Sequence, residues 1–135
     1  MSTDIELSAN VIAERAPGFK PAVGMVLGSG LGPFAETIQD PIAISYADLP
    51  GFPKPGVAGH AGQLVLGAVG GTADAGMQRR EHFYETGKAD AMKTPVRTLH
   101  DIGCETLVVA NAAGSTVEAA GPGSVMMITD HIAFT

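Results

Sequence analysis

Two short apolar runs constrain this chain more than anything else in it: AVGMVL at residues 22–27 and TLVVA at residues 106–110. Neither alternates apolar with polar residues, the pattern of a strand covered on both faces. Each is followed at once by a glycine-containing turn, GSGLG at 28–32 and NAAGS at 111–115. After the first turn, Leu31, Phe34, Ala35 and Ile38 recur at i, i+3, i+4 and i+7, the spacing of a helix. Strand, glycine turn and helix in succession open an α/β unit. The expectation is an α/β fold whose largely buried central sheet contains both runs.

The remaining segments fit that frame. Ile5, Ala9, Ile12 and Ala16 are spaced as one helical face, with Asp4 and Glu6 in the first turn and Gly18 past the end. IAISY at 42–46 and QLVLGAV at 63–69 read as strands, and Gly70-Gly71 as the turn after the second. TADAGMQ is then the return strand, although alanine, aspartate and glycine are poor strand formers. Met92, Val96, Leu99 and Ile102 mark a helix ending at Gly103. Pro95 requires that helix either to start with Thr94 as N-cap or to kink. SVMMITDHI at 124–132 reads as a final strand-like run.

With 135 residues, of which 45% are hydrophobic, the chain has the length and the material for one domain with a real core. Its formal charge of −6 argues against nucleic acid or an anionic membrane surface as partner, since no basic face is available to neutralise phosphates in bulk. A small anion gripped by a few local donors is still allowed. Cys104 is the only cysteine, which rules out an intrachain disulfide. It precedes an apolar strand, no motif places a base beside it, and it reads as a small core residue. MSTDIELSAN lacks the basic and apolar segments of a leader, and no run of eighteen apolar residues occurs. The expected setting is the cytoplasm.

Charge and hydrogen-bonding capacity concentrate in QRREHFYETG at 78–87. On an extended backbone Arg80, His82 and Tyr84 share one side, with Arg79, Glu81 and Phe83 on the other. Arg80 can grip an oxyanion with two N–H groups and His82 can add another donor. GSGLG offers backbone amides and the Ser29 hydroxyl at a strand–helix junction, an arrangement that suits phosphate and equally a plain tight turn. His60, between glycines in VAGHAG, follows a loop with three prolines and is either a lid residue or a structural one. Asn111 stands at the carboxyl end of the second apolar run, where α/β sheets bind ligands. Asp130 and His131 are neighbours, and in a strand they face opposite ways. No cysteine–histidine cluster points to a metal.

Taken together, LGSGLG, VAGHAGQLVLG, MQRREHFYETG with its R-x-H-x-Y-E core, MKTPVRTL, and TLVVANAAGS followed by PGSVMMITDHI resemble the trimeric, low-molecular-mass class of purine nucleoside phosphorylases. The segments stand in the family's order and cover nearly all of the chain from about residue 22 onward. The resemblance implies a mixed central sheet flanked by helices. It also implies that residues 1–135 form the N-terminal part of a single phosphorylase domain, ending after about half of it. By this likeness Ser29, His60, Arg80, His82 and the backbone N–H of Ala112 bind phosphate. His60 is the catalytic loop histidine near phosphate and ribose, and Tyr84 contacts the ribose. Asn111 and Glu85 support the site. The implied reaction is phosphorolysis of a purine nucleoside to free base and ribose 1-phosphate. Inorganic phosphate is the co-substrate, no metal or organic cofactor takes part, and the assembly is a homotrimer. The family's purine-binding residues lie beyond the stretch matched here, so the chain as given is expected to carry the phosphate and ribose side and to be inactive alone. A non-catalytic phosphate-binding remnant and the methylthioadenosine-specific branch are the alternatives. Two departures are visible: TADAGMQ replaces a β-branched run, and Arg79 stands where a glycine is common.

Overall fold

In the computed structural model, residues 1–28, 30–54 and 62–132 are described, the side chains of Phe83 and Tyr84 excepted. Five strands, β1 (Val23–Val26), β2 (Gln39–Ser45), β3 (Gln63–Val69), β4 (Thr72–Met77) and β5 (Thr106–Val109), form one sheet in the order β2-β3-β4-β1-β5. β2, β3 and β4 pair antiparallel, whereas β1 runs parallel to both β4 and β5. This is the α/β fold expected from the apolar runs and glycine turns, with the mixed sheet that the family resemblance implies. The helices are α1 (Asp4–Arg15), α2 (Gly32–Ala35), α3 (Phe83–Thr86) and α4 (Lys93–Asp101).

Helix α1 starts where side chains can satisfy its orphan amides. Thr3 Oγ1 accepts from the Glu6 N–H at 3.3 Å, and the Glu6 carboxylate accepts from the Thr3 N–H at 2.9 Å. Such a reciprocal cap is worth about 1 kcal/mol. Helix α4 begins at Lys93, one residue before the expected cap, so Pro95 falls in its first turn, where a missing N–H removes no intrahelical bond. No kink is needed.

Both faces of the sheet are covered in its middle. Ile12 and Ala16 of α1 and Leu99 of α4 share a cluster with Val26, Leu64, Leu66, Ala75 and Met77. On the opposite face Met25, Leu27 and Val65 meet Ala35 and Ile38. Strand β4 sits between β3 and β1 despite its residue types. The local preference is overridden because Ala75 and Met77 are fully buried and both edges of the strand are paired. The small residues also permit close approach. A Cβ on Gly67 would stand 2.3 Å from Ile38 Cγ2, which closes over the sheet there. Asp74 is buried as well, and its Oδ2 accepts from the Val69 N–H across the turn at 3.1 Å. Loss of water outweighs that bond and raises its carboxyl above the ordinary range.

Four expectations are corrected. TLVVA does form a strand, but among the described residues β5 pairs only with β1, and Leu107, Val108 and Val109 are 42%, 47% and 57% exposed. Apolar character alone does not distinguish a central strand from an edge. Residues 124–132 form no strand. They are exposed and pair with no strand among the described residues, and a strand without a neighbour leaves its backbone groups to solvent. The helix after GSGLG is a single turn, Gly32–Ala35. Strand β2 begins at Gln39 and ends at Ser45, with a register shift between Gln39 and Ile42 and a positive φ of 49° at Asp40.

Candidate functional site

Parallel pairing of β1 with both of its neighbours puts three carboxyl ends side by side. In register, Val26 lies opposite Met77 on one side and Val109 on the other. The pairing continues one step further, with Leu27 N–H donating to Met77 O and Ala110 N–H to Val26 O, each at 3.0 Å. The next residues of each strand are therefore neighbours: Gly28, Arg79-Arg80 and Asn111.

At this edge Arg80 Nη1 donates to the main-chain oxygen of Ala110 at 3.0 Å. Gly28 lies between these elements, and a Cβ there would stand 2.5 Å from Ala110 O and 2.9 Å from Asn111 Cα. The position admits only glycine without a shift of β5. Leu27, Gly28, Gln78, Arg79, Arg80, His82 and Glu85 line a cleft of about 250 Å³.

The backbone after β4 does not stay extended. It turns into α3 at Phe83, so the expected period-two row stops at His82, and Tyr84 belongs to a helical turn. The same turn removes the expected division of the segment. Arg79 borders the cleft together with Arg80 and His82 rather than facing away from them. Glu85, on α3, ties the segment together: its Oε2 accepts from the His82 N–H at 2.8 Å and its Oε1 from Arg79 Nη2 at 3.2 Å. The His82 amide, with Arg79 second, holds the Glu85 carboxyl below the ordinary glutamate range.

Below this segment stands Tyr46, a residue that sequence reasoning took only as the end of a strand. Its hydroxyl donates to the main-chain oxygen of Arg79 at 2.8 Å, and its ring is buried against Phe52 with centroids 5.3 Å apart. The one available signal was a tyrosine closing an apolar run, because a buried phenol must find a partner.

The other sequence-predicted residues divide in three. Ser29 and His60 lie outside the described residues, as does the Tyr84 side chain. Ala112 is exposed two residues past Ala110, and Asn111 lines a separate hollow with Ala113 and Gly114. Cys104 is buried in the core, as expected, and His100 is exposed. Asp130 and His131 are exposed, and the His131 N–H donates to Asp130 Oδ1 at 2.8 Å. Among the described residues, no group of three or more histidine, cysteine, aspartate or glutamate side chains is placed to hold a metal ion. No helix of the described residues is long and apolar enough to cross a membrane.

With two cationic side chains and an imidazole at the carboxyl ends of parallel strands, the cleft can receive a small oxyanion. The profile of the family described as "Phosphorylase superfamily" matches residues 22–135. Purine nucleoside phosphorylase 1 of Geobacillus stearothermophilus is 45% identical over 96% of this chain and 47% of its own length. Purine nucleoside phosphorylase 1 of Bacillus subtilis (strain 168) is 44% identical over 99% of this chain and 49% of its own. The crystal structure of Schistosoma mansoni purine nucleoside phosphorylase in complex with inosine superposes with a TM-score of 0.76 at 32% identity, over 87% of this chain and 41% of that one. The chain thus spans about half the length of the curated relatives it matches.

Proposed function

The chain belongs to the phosphorylase superfamily, and on that footing we propose that it carries the phosphate and ribose side of a site for phosphorolysis of purine nucleosides. The observation that carries this reading is the convergence of Arg80, His82 and Gly28 at the carboxyl ends of β4 and β1. Arg80 and His82 grip the phosphate, joined by the Ser29 hydroxyl, His60 and the Ala112 amide. Tyr84 contacts the ribose. Glu85 braces the His82 backbone, and Asn111 shapes the end of β5.

In the reaction a phosphate oxygen attacks the anomeric carbon while the bond from that carbon to the purine nitrogen breaks. The pair of electrons leaves with the base, and the sugar passes through a state with oxocarbenium character. A bound phosphate dianion next to that carbon supplies alignment and opposite charge together. Arg80 and His82 hold the dianion against the net negative charge of the chain. His60 acts beside phosphate and ribose. Phosphate is a co-substrate, and the reading needs no metal or organic cofactor. A cytoplasmic homotrimer is the assembly that goes with it.

The test is release of hypoxanthine from inosine at varied phosphate, together with calorimetric titration of phosphate into the protein. The expected outcome is phosphate binding that competes with sulfate in this chain, little release of base by it alone, and release that depends on phosphate and saturates with it in a chain extended to the length of its relatives. A protein that binds neither anion, or that frees the base equally well without phosphate, overturns the proposal.

A further inference from the structure

We infer that Tyr46 is a positioning residue for the anion cleft, its hydroxyl fixing the main chain of Arg79 and thereby the placement of the Arg80 guanidinium and of His82. This rests on the phosphate reading above. Four observations carry it. The Tyr46 hydroxyl donates to Arg79 O at 2.8 Å, the carbonyl immediately before Arg80 in the chain. The residue is only 2% exposed, and Phe52 holds the ring in place. The Tyr46 N–H donates to Gly62 O at 3.0 Å, and a Cβ on Gly62 would stand 2.3 Å from Tyr46 Cδ2, so the ring is also held from the side of β3. Gln78 N–H donates to Gln63 O at 3.0 Å, which anchors the start of the same segment to β3. Among the described residues no strand pairs with residues 79–82, and the tyrosine hydroxyl holds the stretch from below while the Glu85 carboxylate and Ala110 O hold it from other sides.

The chemistry suits a fixed brace. Burial pushes the phenol well above its ordinary pKa, so the hydroxyl remains a donor throughout the working range. Tyr46 does not line the cleft and touches no bound phosphate in this scheme. Its effect passes through the Arg79 main chain to two side chains that do.

The experiment compares Tyr46→Phe, Arg80→Ala and Leu99→Val with the unaltered protein. Phosphate affinity is measured by calorimetry and stability by thermal melting on this chain, and KM for phosphate and kcat by phosphorolysis with a chain extended to the length of its relatives. Tyr46→Phe keeps the ring and removes only the donor. Its expected effect is phosphate binding weaker by about tenfold, the scale of one buried hydrogen bond, with KM for phosphate rising more than kcat falls. Leu99→Val lowers the melting temperature by a core defect beside Gly24 and Cys104, toward the amino end of β1, and leaves phosphate affinity unchanged. Tyr46→Phe with unaltered phosphate affinity, beside an Arg80→Ala that loses it, overturns the inference and leaves the phosphate reading standing. Unaltered affinity in Arg80→Ala overturns that reading and the inference with it.

Discussion

Arg80 reaches across the end of β1 to Ala110, with 3.0 Å between Nη1 and the main-chain oxygen. One guanidinium thus links the segments that follow β4 and β5, and it does so over Gly28, the residue with no side chain to obstruct it. The same contact defines what the cleft loses if the arginine is changed.

Replacing Arg80 with alanine is expected to weaken phosphate or sulfate binding by roughly tenfold to a hundredfold, about 1.5–3 kcal/mol for a charge-assisted contact. Arg80→Lys is expected to recover only part of this, because an ammonium cannot present the planar pair of N–H groups. Calorimetric titration of both variants decides it, and full recovery by lysine counts against a bidentate grip.

Gly28→Ala tests the close approach directly. A methyl group 2.5 Å from Ala110 O cannot be accommodated without moving β5, and overpacking of this kind costs about 1–3 kcal/mol. Denaturant unfolding should show the loss. Gly30→Ala meets no atom within 4 Å, but its φ of 85° imposes backbone strain instead.

For Glu85 the expected result is a carboxyl titration midpoint below the ordinary glutamate value of 4.5, read by carbon-detected magnetic resonance. The His82 amide is the larger cause, so Arg79→Ala should restore only part of the shift. A depressed carboxylate stabilises the fold fully above its unfolded pKa. That contribution disappears as pH falls through the folded value, which places the loss on the acid side, below about pH 4.5.

Cys104 behaves in the opposite sense. Burial, with Asp74 second, pushes its thiol up from 9.0 to about 11. The folded protein therefore resists alkylation at pH 8 and reacts readily once unfolded. The neutral thiol's contribution to stability is complete below pH 9 and is lost as pH rises through about 11. Rapid modification of the native protein at pH 8 contradicts this.

Much of the framework could be read from residue types. The bounds of β3 were legible to the residue, because Gly70 and Gly71 both adopt positive φ, at 57° and 85°, and stop the strand where they stand. That Arg80 and His82 belong to one site was legible for a local reason, since their chemistry is carried in the side chain, and both line the same cleft. What was not legible depends on distant partners. Val108 and Val109 look as apolar as Met25 and Val26, yet only the second pair has strands on both sides. Arg79 was assigned to the far side of its segment on the assumption of an extended backbone, and the turn into α3 removed that assumption. A tyrosine closing an apolar run signalled that Tyr46 needs a partner but not which one, because the carbonyl it donates to belongs to a residue more than thirty positions later.

The parallel arrangement of β4, β1 and β5 has a further consequence, in time rather than in space. Gly28, Arg80 and Ala110 are far apart along the chain and meet only when β1 has found two partners that follow it in synthesis. The antiparallel neighbours β3 and β4 can close locally through their glycine turn, whereas the cleft must await the last strand of the sheet. Non-local pairings of this kind form slowly, since loop closure precedes any reward from contact. The cleft is therefore among the final features to appear as the polypeptide folds, and a nascent chain that has not yet released Ala110 carries Arg80 without the carbonyl that receives it.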